Sequence, residues 1–419
     1  MSEPNPERTP VVVLGSGHHG GVAIARSLGR LGVPVYSIDG DWWETAISSR
    51  YCRGRWVLDW ANDRTGASLE HILAIGRKLG SRPILVPFTD QGAMWVAEHA
   101  NNLKDVFRFA RMDAELVRTL CDKSRMQKLA SDCGVCVAKS LLPHCRESLE
   151  LFVSDMTYPV MVKATNAAYL RTRLGGTKFV VQGRAELFDL FEKAWDGHSP
   201  NFLVQEFIPG EDWMFDGYFD ETSECLFGIT AKKIRRFPAK TGVTSLGVCV
   251  NNEAVQFITR KFMSAIGYRG IVDIGFRFDQ RTGEYKIMDL NPRIGSSFRL
   301  FAGADGMDVA RLSYLHQTGC AVPCSTAVEG RKWLTEDFDL LSTVRSLRDG
   351  TFSFGSWLGS FKGVQELACF AVDDPLPAFA MAVADCHELF KWMRSRGAVT
   401  RQPPVRVEWP ALLENTRRR

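Results

Sequence analysis

Residues 285–293 read YKIMDLNPR, an apolar run that turns polar at its end. Side chains alternate along a strand, so Asp289 and Asn291 are expected on the same face. A carboxylate and an amide oxygen side by side suit Mg²⁺, with Mn²⁺ as the alternative metal, when phosphate oxygens complete the shell. Arg293 follows as a cation that can face phosphate. The stretch therefore predicts a strand that carries a metal and phosphate site.

Two lysines upstream have positions that suit phosphate binding. Lys163 ends the apolar stretch 159–163, and Lys123 opens a predicted helix, 123–131, after Asp122. A cation at the end of a buried strand needs an anionic partner, and a nucleotide phosphate is a suitable one. A solvated surface charge is the alternative for each lysine, and this alternative is stronger for Lys123.

A glycine loop and an apolar segment complete the pattern. The loop of Gly175, Gly176 and Thr177 precedes a predicted strand, so its N–H groups could close over phosphates, although a plain hairpin turn would use the same glycines. Further on, an apolar strand runs into an acidic turn, where the backbone can pair with adenine and a carboxylate can bind the ribose. The alternative is a strand that ends in a solvated acidic turn. The residues of this segment are Gln205, Glu206, Phe207, Ile208 and Glu211.

Taken in this order, these features resemble the ATP-grasp superfamily over about residues 1–320. The resemblance implies a fold with α/β and α+β parts, in which the nucleotide lies between two lobes. It also implies ATP as the nucleotide, Lys123 and Lys163 at its phosphates, and Asp289 and Asn291 as metal ligands. The implied parts are a Rossmann-like pre-ATP-grasp domain over 1–120, a two-lobed ATP-grasp domain over 121–324 with lobes of about 121–200 and 201–324, and a C-terminal accessory segment over 325–419.

The metal pair departs from the pattern of this family in two places. Asp289 stands where a glutamate is usual, which shortens the ligand by one methylene. The family's second acidic ligand is expected on the strand 271–279, at the position of Gly275. Asp273, on the same face of that strand, and Asp279, at the same parity, could each replace it, and Asp273 is the predicted third metal ligand. Gly275 also motivates an alternative function, a nucleotide-binding regulatory protein that has lost catalysis.

The first domain contains a motif that points elsewhere. Gly15, Gly17 and Gly20 match G-x-G-x-x-G between a predicted strand and helix, and Asp39 ends the next strand, where a ribose-binding acid is expected. Alone, this motif predicts an NAD(P)-dependent oxidoreductase. The same turn occurs in the N-terminal domains of many ATP-grasp proteins, where it shapes the strand-to-helix turn or faces the acceptor substrate. The role in the turn is therefore favoured here.

The resemblance also implies a reaction. Most ATP-grasp enzymes phosphorylate a carboxylate to an acylphosphate, which an amine attacks, and ADP and phosphate are released. We therefore expect a carboxylate-amine ligase that acts on a small-molecule carboxylate and amine. The basic run 232–236 follows a predicted strand at 225–231, and similar Arg-then-Pro loops occur in D-aspartate-ligase-like members. Arg235 or Arg236 is expected to hold the carboxylate or acylphosphate, beside Arg293, and a solvated basic turn is the alternative.

Composition limits the other classes of function. The chain of 419 residues has 52 Lys and Arg against 48 Asp and Glu, a surplus too small to predict a nucleic-acid partner. Its 11 cysteines are scattered and no apolar leader opens the sequence, which predicts reduced thiols and a cytoplasmic location. The apolar stretch 375–384 has about half the length of a spanning helix, so membrane association is not expected. The resemblance is compatible with a homodimer.

Overall fold

The computed structural model describes residues 8–40, 48–63, 65–165, 167–197, 201–237, 242–348 and 354–384. The chain packs into two compact units. The first unit joins Met1–Cys136 to Gly210–Ala382, and the second is built on Val137–Pro209. The domain boundaries expected near residues 120 and 324 remain predictions.

The first unit opens with a four-stranded parallel sheet in the order β3-β2-β1-β4. All four residues of β1 are buried, which explains its unbroken apolar sequence. The predicted strand, glycine turn, helix and strand are confirmed. The elements are β1 (Val11–Leu14), α1 (His19–Gly29), β2 (Val35–Asp39), β3 (Cys52–Val57), α2 (Ala67–Leu79) and β4 (Ile84–Pro87).

Four helices follow this sheet, and three of them have side-chain caps, the first from Thr89, whose hydroxyl accepts a hydrogen bond from the Gly92 N–H. Asp113 accepts a hydrogen bond from the Leu116 N–H, and Asp122 accepts one from the Arg125 N–H, which fixes where the third and fourth of these helices begin. The helix predicted from Lys123 is confirmed. The helices are α3 (Asp90–Glu98), α4 (Ala100–Leu103), α5 (Ala114–Cys121) and α6 (Lys123–Asp132).

The second unit is a four-stranded antiparallel sheet with helices against one face. Its order is β5-β8-β6-β7, and the helix-covered face carries the apolar core, including Val160, Val162 and Val204. Lys163 and Gln205 therefore lie on the opposite face, because side chains alternate along each strand. The elements are β5 (Ser140–Leu141), α7 (Arg146–Val153), β6 (Val160–Ala164), α8 (Ala167–Leu174), β7 (Lys178–Val181), α9 (Arg184–Ala194) and β8 (Phe202–Glu206).

The rest of the first unit is a seven-stranded sheet in the order β13-β12-β9-β10-β11-β14-β15. One apolar core links it to the parallel sheet and includes Val13, Met214 and Leu312. Its elements are β9 (Asp212–Phe219), β10 (Cys225–Phe237), β11 (Val243–Cys249), α10 (Glu253–Ala265), β12 (Gly270–Asp279), β13 (Glu284–Asn291), α11 (Val309–Thr318), β14 (Lys332–Leu334), α12 (Glu336–Arg348), α13 (Phe354–Ser360) and β15 (Val364–Leu367).

Two features of this sheet differ from the expectation. The strand predicted at 225–231 continues to Phe237, so the basic run 232–236 is part of a strand and not a turn. It pairs with β11, which the sequence did not predict. Strands β14 and β15 come from the chain after residue 324 and extend the same sheet. Among the described helices, none combines the length and apolar content that crossing a bilayer requires.

Candidate functional site

The glycine turn after β1 is filled by protein groups. Asp39 is buried, and its carboxylate accepts hydrogen bonds from the N–H and hydroxyl of Ser16 and from the Ser37 hydroxyl. Burial raises the pKa of Asp39, and the bonds from Ser16 and Ser37 oppose that rise. A Cβ at Gly20 would lie 2.2 Å from the Phe88 ring. The Asp39 carboxylate is thus engaged by protein groups and Gly20 allows close packing against Phe88, which favours the role of this motif in the turn over a ribose contact by Asp39.

In the second unit, Lys163 is held by a buried glutamine. Its Nζ donates to Oε1 of Gln205 at 2.5 Å, and Gln205 is fully buried. Gln205 lies opposite Met161 in the pairing of β6 with β8, which places it diagonally across from Lys163. The arrangement fixes the direction of the lysine stem. It makes Lys163 a positioned cation on the face of this sheet opposite the helices, as a phosphate contact requires.

The glycine loop in the second unit serves first as a helix end. Gly175 has a φ of 71°, in the left-handed region, and its N–H donates to the Arg171 carbonyl at 2.8 Å. The Thr177 carbonyl accepts from the Ala164 N–H at 2.8 Å, which ties the loop to β6. The N–H of Gly175 is therefore used within the protein. A phosphate contact from this loop would have to come from Gly176 or Thr177.

The segment predicted to face adenine divides between the two units. Glu206 pairs with Lys139 through both its groups: its N–H donates to the Lys139 carbonyl, and its Oε1 accepts from the Lys139 N–H, each at 2.9 Å. Ile208 is buried and Phe207 is half-buried. In the first unit, Glu211 forms a 2.6 Å ion pair with Lys232 at a partly exposed position. A ribose contact by Glu211 would compete with that pair.

The predicted metal strand lies at the edge of the large sheet. Asp289 is exposed and Asn291 is half-buried, and both lie on one face of β13. Asp289 pairs in register with Gly275, and Asn291 pairs with Asp273. A Cβ built on Gly275 would meet only Asp289, at 3.8 Å. The space in front of Asp289 is thus open, and an acidic side chain at position 275 would stand beside it.

Arg293 connects this strand to the parallel sheet. Its Nη2 donates to Oδ1 of Asn291 at 3.1 Å, and its Nε donates to Asp90 at 2.8 Å. Asp90 is the first residue of α3 and follows β4, at the carboxyl end of the parallel sheet. In open α/β sheets this end is where ligands bind. Arg293 therefore places a fixed cation between the metal strand and that edge.

The structure adds one residue that the sequence analysis missed. Asp216 on β9 is 1% exposed, and within the described residues neither carboxylate oxygen has a hydrogen-bond partner. It lies in register with Asp273, which in turn pairs with Asn291. Burial, then repulsion by Asp273, raises the pKa of Asp216, and burial raises the pKa of Asp273. A single carboxylate in the apolar run 213–219 was the available signal.

The two arginines of β10 are engaged with carboxylates. Nε of Arg235 lies 2.6 Å from Oδ1 of Asp339, and Nη1 donates to the Ser360 hydroxyl at 2.5 Å. Arg236 pairs with Asp212 at 2.8 Å, and burial lowers its pKa. These contacts give both side chains structural partners. Their predicted contact with a substrate carboxylate stays a prediction.

Two further predicted features are less defined. Lys123 is exposed at the start of α6 in the first unit, and its phosphate contact also stays a prediction. The described residues contain no cluster of three His, Cys, Asp or Glu side chains that could hold a metal ion. The three ligands predicted from the sequence are Asp289, Asn291 and Asp273, and this metal assignment stays a prediction.

Several known proteins are similar to this chain in part of their sequence or in their fold. A D-aspartate ligase from Enterococcus faecium is 25% identical over 244 residues, which cover 54% of this chain and only 57% of the ligase. An ADP complex of N5-carboxyaminoimidazole synthetase from Staphylococcus aureus has a TM-score of 0.61 at 12% identity, covering 82% of this chain and 88% of that chain. The MgADP-bound biotin carboxylase domain of Hydrogenobacter thermophilus 2-oxoglutarate carboxylase gives 0.56 at 15%, covering 78% and 74%. No protein-family model matches the chain.

The similarity to these solved structures agrees with the sheets described above. The fold is an α/β sheet followed by the two sheets of the ATP-grasp fold, as the sequence predicted. The partial similarity to D-aspartate ligase and the shared fold agree with the resemblance to the ATP-grasp superfamily that the sequence motifs indicate.

Proposed function

We propose that this protein is an ATP- and Mg²⁺-dependent carboxylate-amine ligase. A carboxylate oxygen of the first substrate attacks the γ-phosphorus of ATP, and ADP leaves with the electrons of the broken phosphate bond. The amine then attacks the acyl carbon of the acylphosphate, phosphate leaves, and the amine nitrogen loses a proton. The similarity to D-aspartate ligase supports this reaction, and it makes an amino dicarboxylic acid the first carboxylate to test.

Residues of each unit have a role in this proposal. In the second unit, Lys163 contacts phosphate, and Gly176 and Thr177 close over it. The backbone from Gln205 to Ile208 faces adenine. In the first unit, Lys123 contacts phosphate, Glu211 binds the ribose, and Arg293 faces the transferred phosphoryl group. The observation that carries the proposal is the hydrogen bond from Lys163 to Gln205, because the buried amide holds the lysine ammonium in a fixed direction.

The metal assignment fits the residues on β13. Asp289 and Asn291 offer a carboxylate and an amide oxygen on one face, and the exposure of Asp289 leaves room for phosphate oxygens and water. When bound there, Mg²⁺ would neutralise charge on the transferred phosphoryl group. Arg293 adds a fixed cation without needing to move, since Asp90 and Asn291 already hold it.

The proposal is tested by ADP release from Mg²⁺-ATP with pooled carboxylic acids, D-aspartate and other amino acids among them, with and without pooled amines. Release that needs both pools and is lost in Lys163→Ala and Asp289→Ala supports the ligase. ATP binding without ADP release from any pool would favour the regulatory alternative that Gly275 motivates. A folded protein that binds no ATP would contradict the nucleotide assignment.

A further inference from the structure

Three polar side chains form a row across three neighbouring strands of the large sheet. Asp216 on β9 pairs with Asp273 on β12, and Asp273 pairs with Asn291 on β13. Residues opposite each other in antiparallel strands project from the same face and have adjacent Cβ atoms. The row therefore leads from a buried carboxylate at its inner end to the predicted metal ligand at its outer end.

The middle carboxylate of this row is directed at the amide nitrogen of the ligand. Oδ2 of Asp273 accepts from Nδ2 of Asn291 at 3.0 Å, and Oδ1 of Asn291 accepts from Arg293 at 3.1 Å. The two contacts use the two ends of the amide and so define which end is oxygen. A Cβ on Gly295 would lie 2.6 Å from Asp273 Oδ2, so only glycine leaves room for this carboxylate.

We propose that Asp273 is a positioning residue for Asn291 and not a metal ligand. By accepting from Nδ2, its carboxylate leaves Oδ1 of Asn291 on the side of the amide where Arg293 donates to it. Ligands of metal ions are commonly oriented by such outer contacts. This inference rests on the proposed metal site, and it replaces the sequence-based assignment of Asp273 to the metal.

Asp216 gives the inference a sharp test, because it has two carboxylate oxygens that lack a described hydrogen-bond partner. In Asp273→Asn, the new amide oxygen can accept from Asn291, and the new amide nitrogen can donate to Asp216. The substitution keeps the orienting hydrogen bond and removes the repulsion between two carboxylates. A positioning role therefore survives this change, whereas a carboxylate ligand does not.

The experiment measures Mn²⁺ binding to the full chain with saturating ADP, from the electron paramagnetic resonance signal of free Mn²⁺. Variants are Asp273→Asn, Asp273→Ala and Asp289→Asn. Glu284→Gln, which removes an exposed carboxylate from the same strand β13, controls for net charge. We expect wild-type affinity in Asp273→Asn and in the control, affinity weaker by about 10- to 100-fold in Asp273→Ala, and loss of binding in Asp289→Asn.

ADP affinity in EDTA separates positioning from general damage. A positioning role leaves this metal-free affinity unchanged in Asp273→Ala, whereas a collapsed strand lowers it along with Mn²⁺ binding and would overturn the inference. Loss of Mn²⁺ in Asp273→Asn, equal to that in Asp289→Asn, would make Asp273 a ligand. A Mn²⁺ affinity of Asp273→Ala equal to that of the wild type would also overturn the positioning role. Failure of the wild type to bind Mn²⁺ with ADP would instead contradict the metal site of the proposed function and remove the basis of this inference.

Discussion

The substitution Arg235→Met is expected to lower stability strongly. The Arg235 and Asp339 side chains are only 10% and 2% exposed, and their charged atoms lie 2.6 Å apart. Removing one partner of a buried ion pair leaves the other charge uncompensated, which costs about 3–5 kcal/mol. Asp339 also accepts from Nε1 of Trp357 at 3.0 Å, so we expect the lower end, about 3 kcal/mol. The unit that contains this pair is larger than the 150–250 residues for which 1 kcal/mol corresponds to about 2–4 °C, so the melting temperature should fall by about 6 °C or less.

Calorimetry on matched variants measures this effect. Arg260→Met removes an exposed arginine from α10 and should change stability by less than about 0.5 kcal/mol. In the double variant Arg235→Met/Asp339→Asn, the remaining charge is gone, so much of the lost stability should return. The reasoning is refuted if Arg235→Met melts with the wild type, or if the two substitutions add. An unchanged melting temperature with a raised KM for the carboxylate would instead support the contact predicted from sequence.

Three further outcomes are expected. Lys163→Ala should weaken ATP binding by about 10- to 150-fold, because it removes one charge-assisted hydrogen bond, and calorimetric titration measures this affinity. The control is Lys193→Ala, which removes a lysine from an exposed ion pair in the same unit. An ATP affinity of Lys163→Ala equal to that of the wild type would exclude the phosphate contact. The pKa of Asp216 is higher in the folded protein than in the unfolded chain, where it is about 3.9. Ionisation of this carboxyl therefore destabilises the fold increasingly as the pH rises from about 3.9 through the pKa of the folded state. Asp216→Asn should therefore gain melting temperature relative to the wild type toward neutral pH, and a constant difference would contradict a titrating carboxylate. Gly275→Asp should tighten Mn²⁺ binding in the presence of ADP by adding a carboxylate beside Asp289, and an unchanged or weaker affinity would contradict this placement.

The sequence predicted the elements whose pattern is local. An apolar run and a glycine turn identify β1 and α1, and an aspartate cap identifies the start of α6. The end of β10 was predicted wrongly because the basic run 232–236 looks like a solvated turn. Lys232, Arg235 and Arg236 form ion pairs with carboxylates that lie far away in sequence or across the sheet, namely Glu211, Asp339 and Asp212. A strand can carry such a run when tertiary contacts supply the counter-charges.

The function of the glycine motif also depended on tertiary contacts that the local sequence does not reveal. Its spacing fits a dinucleotide site, and only tertiary structure shows what occupies the turn. Phe88 comes from the residues after β4, and Ser296, whose Cα would lie 3.1 Å from a Cβ on Gly20, comes from the loop after β13. The motif alone could not separate a close approach of protein groups from a close approach of a phosphate.

Strand β9 carries two aspartates, one with cationic partners and one buried without a described partner, and this difference concerns the predicted metal site. Asp212 is paired with both Arg236 and Arg277, so its charge is balanced. Asp216, four residues later, is buried without a described partner, which is unfavourable for folding. Perturbed carboxylates of this kind concentrate at functional sites. Asp216 pairs in register with Asp273, and Asp273 accepts a hydrogen bond from the predicted metal ligand Asn291. We therefore expect substitutions at Asp216 to alter metal binding without removing a predicted metal ligand.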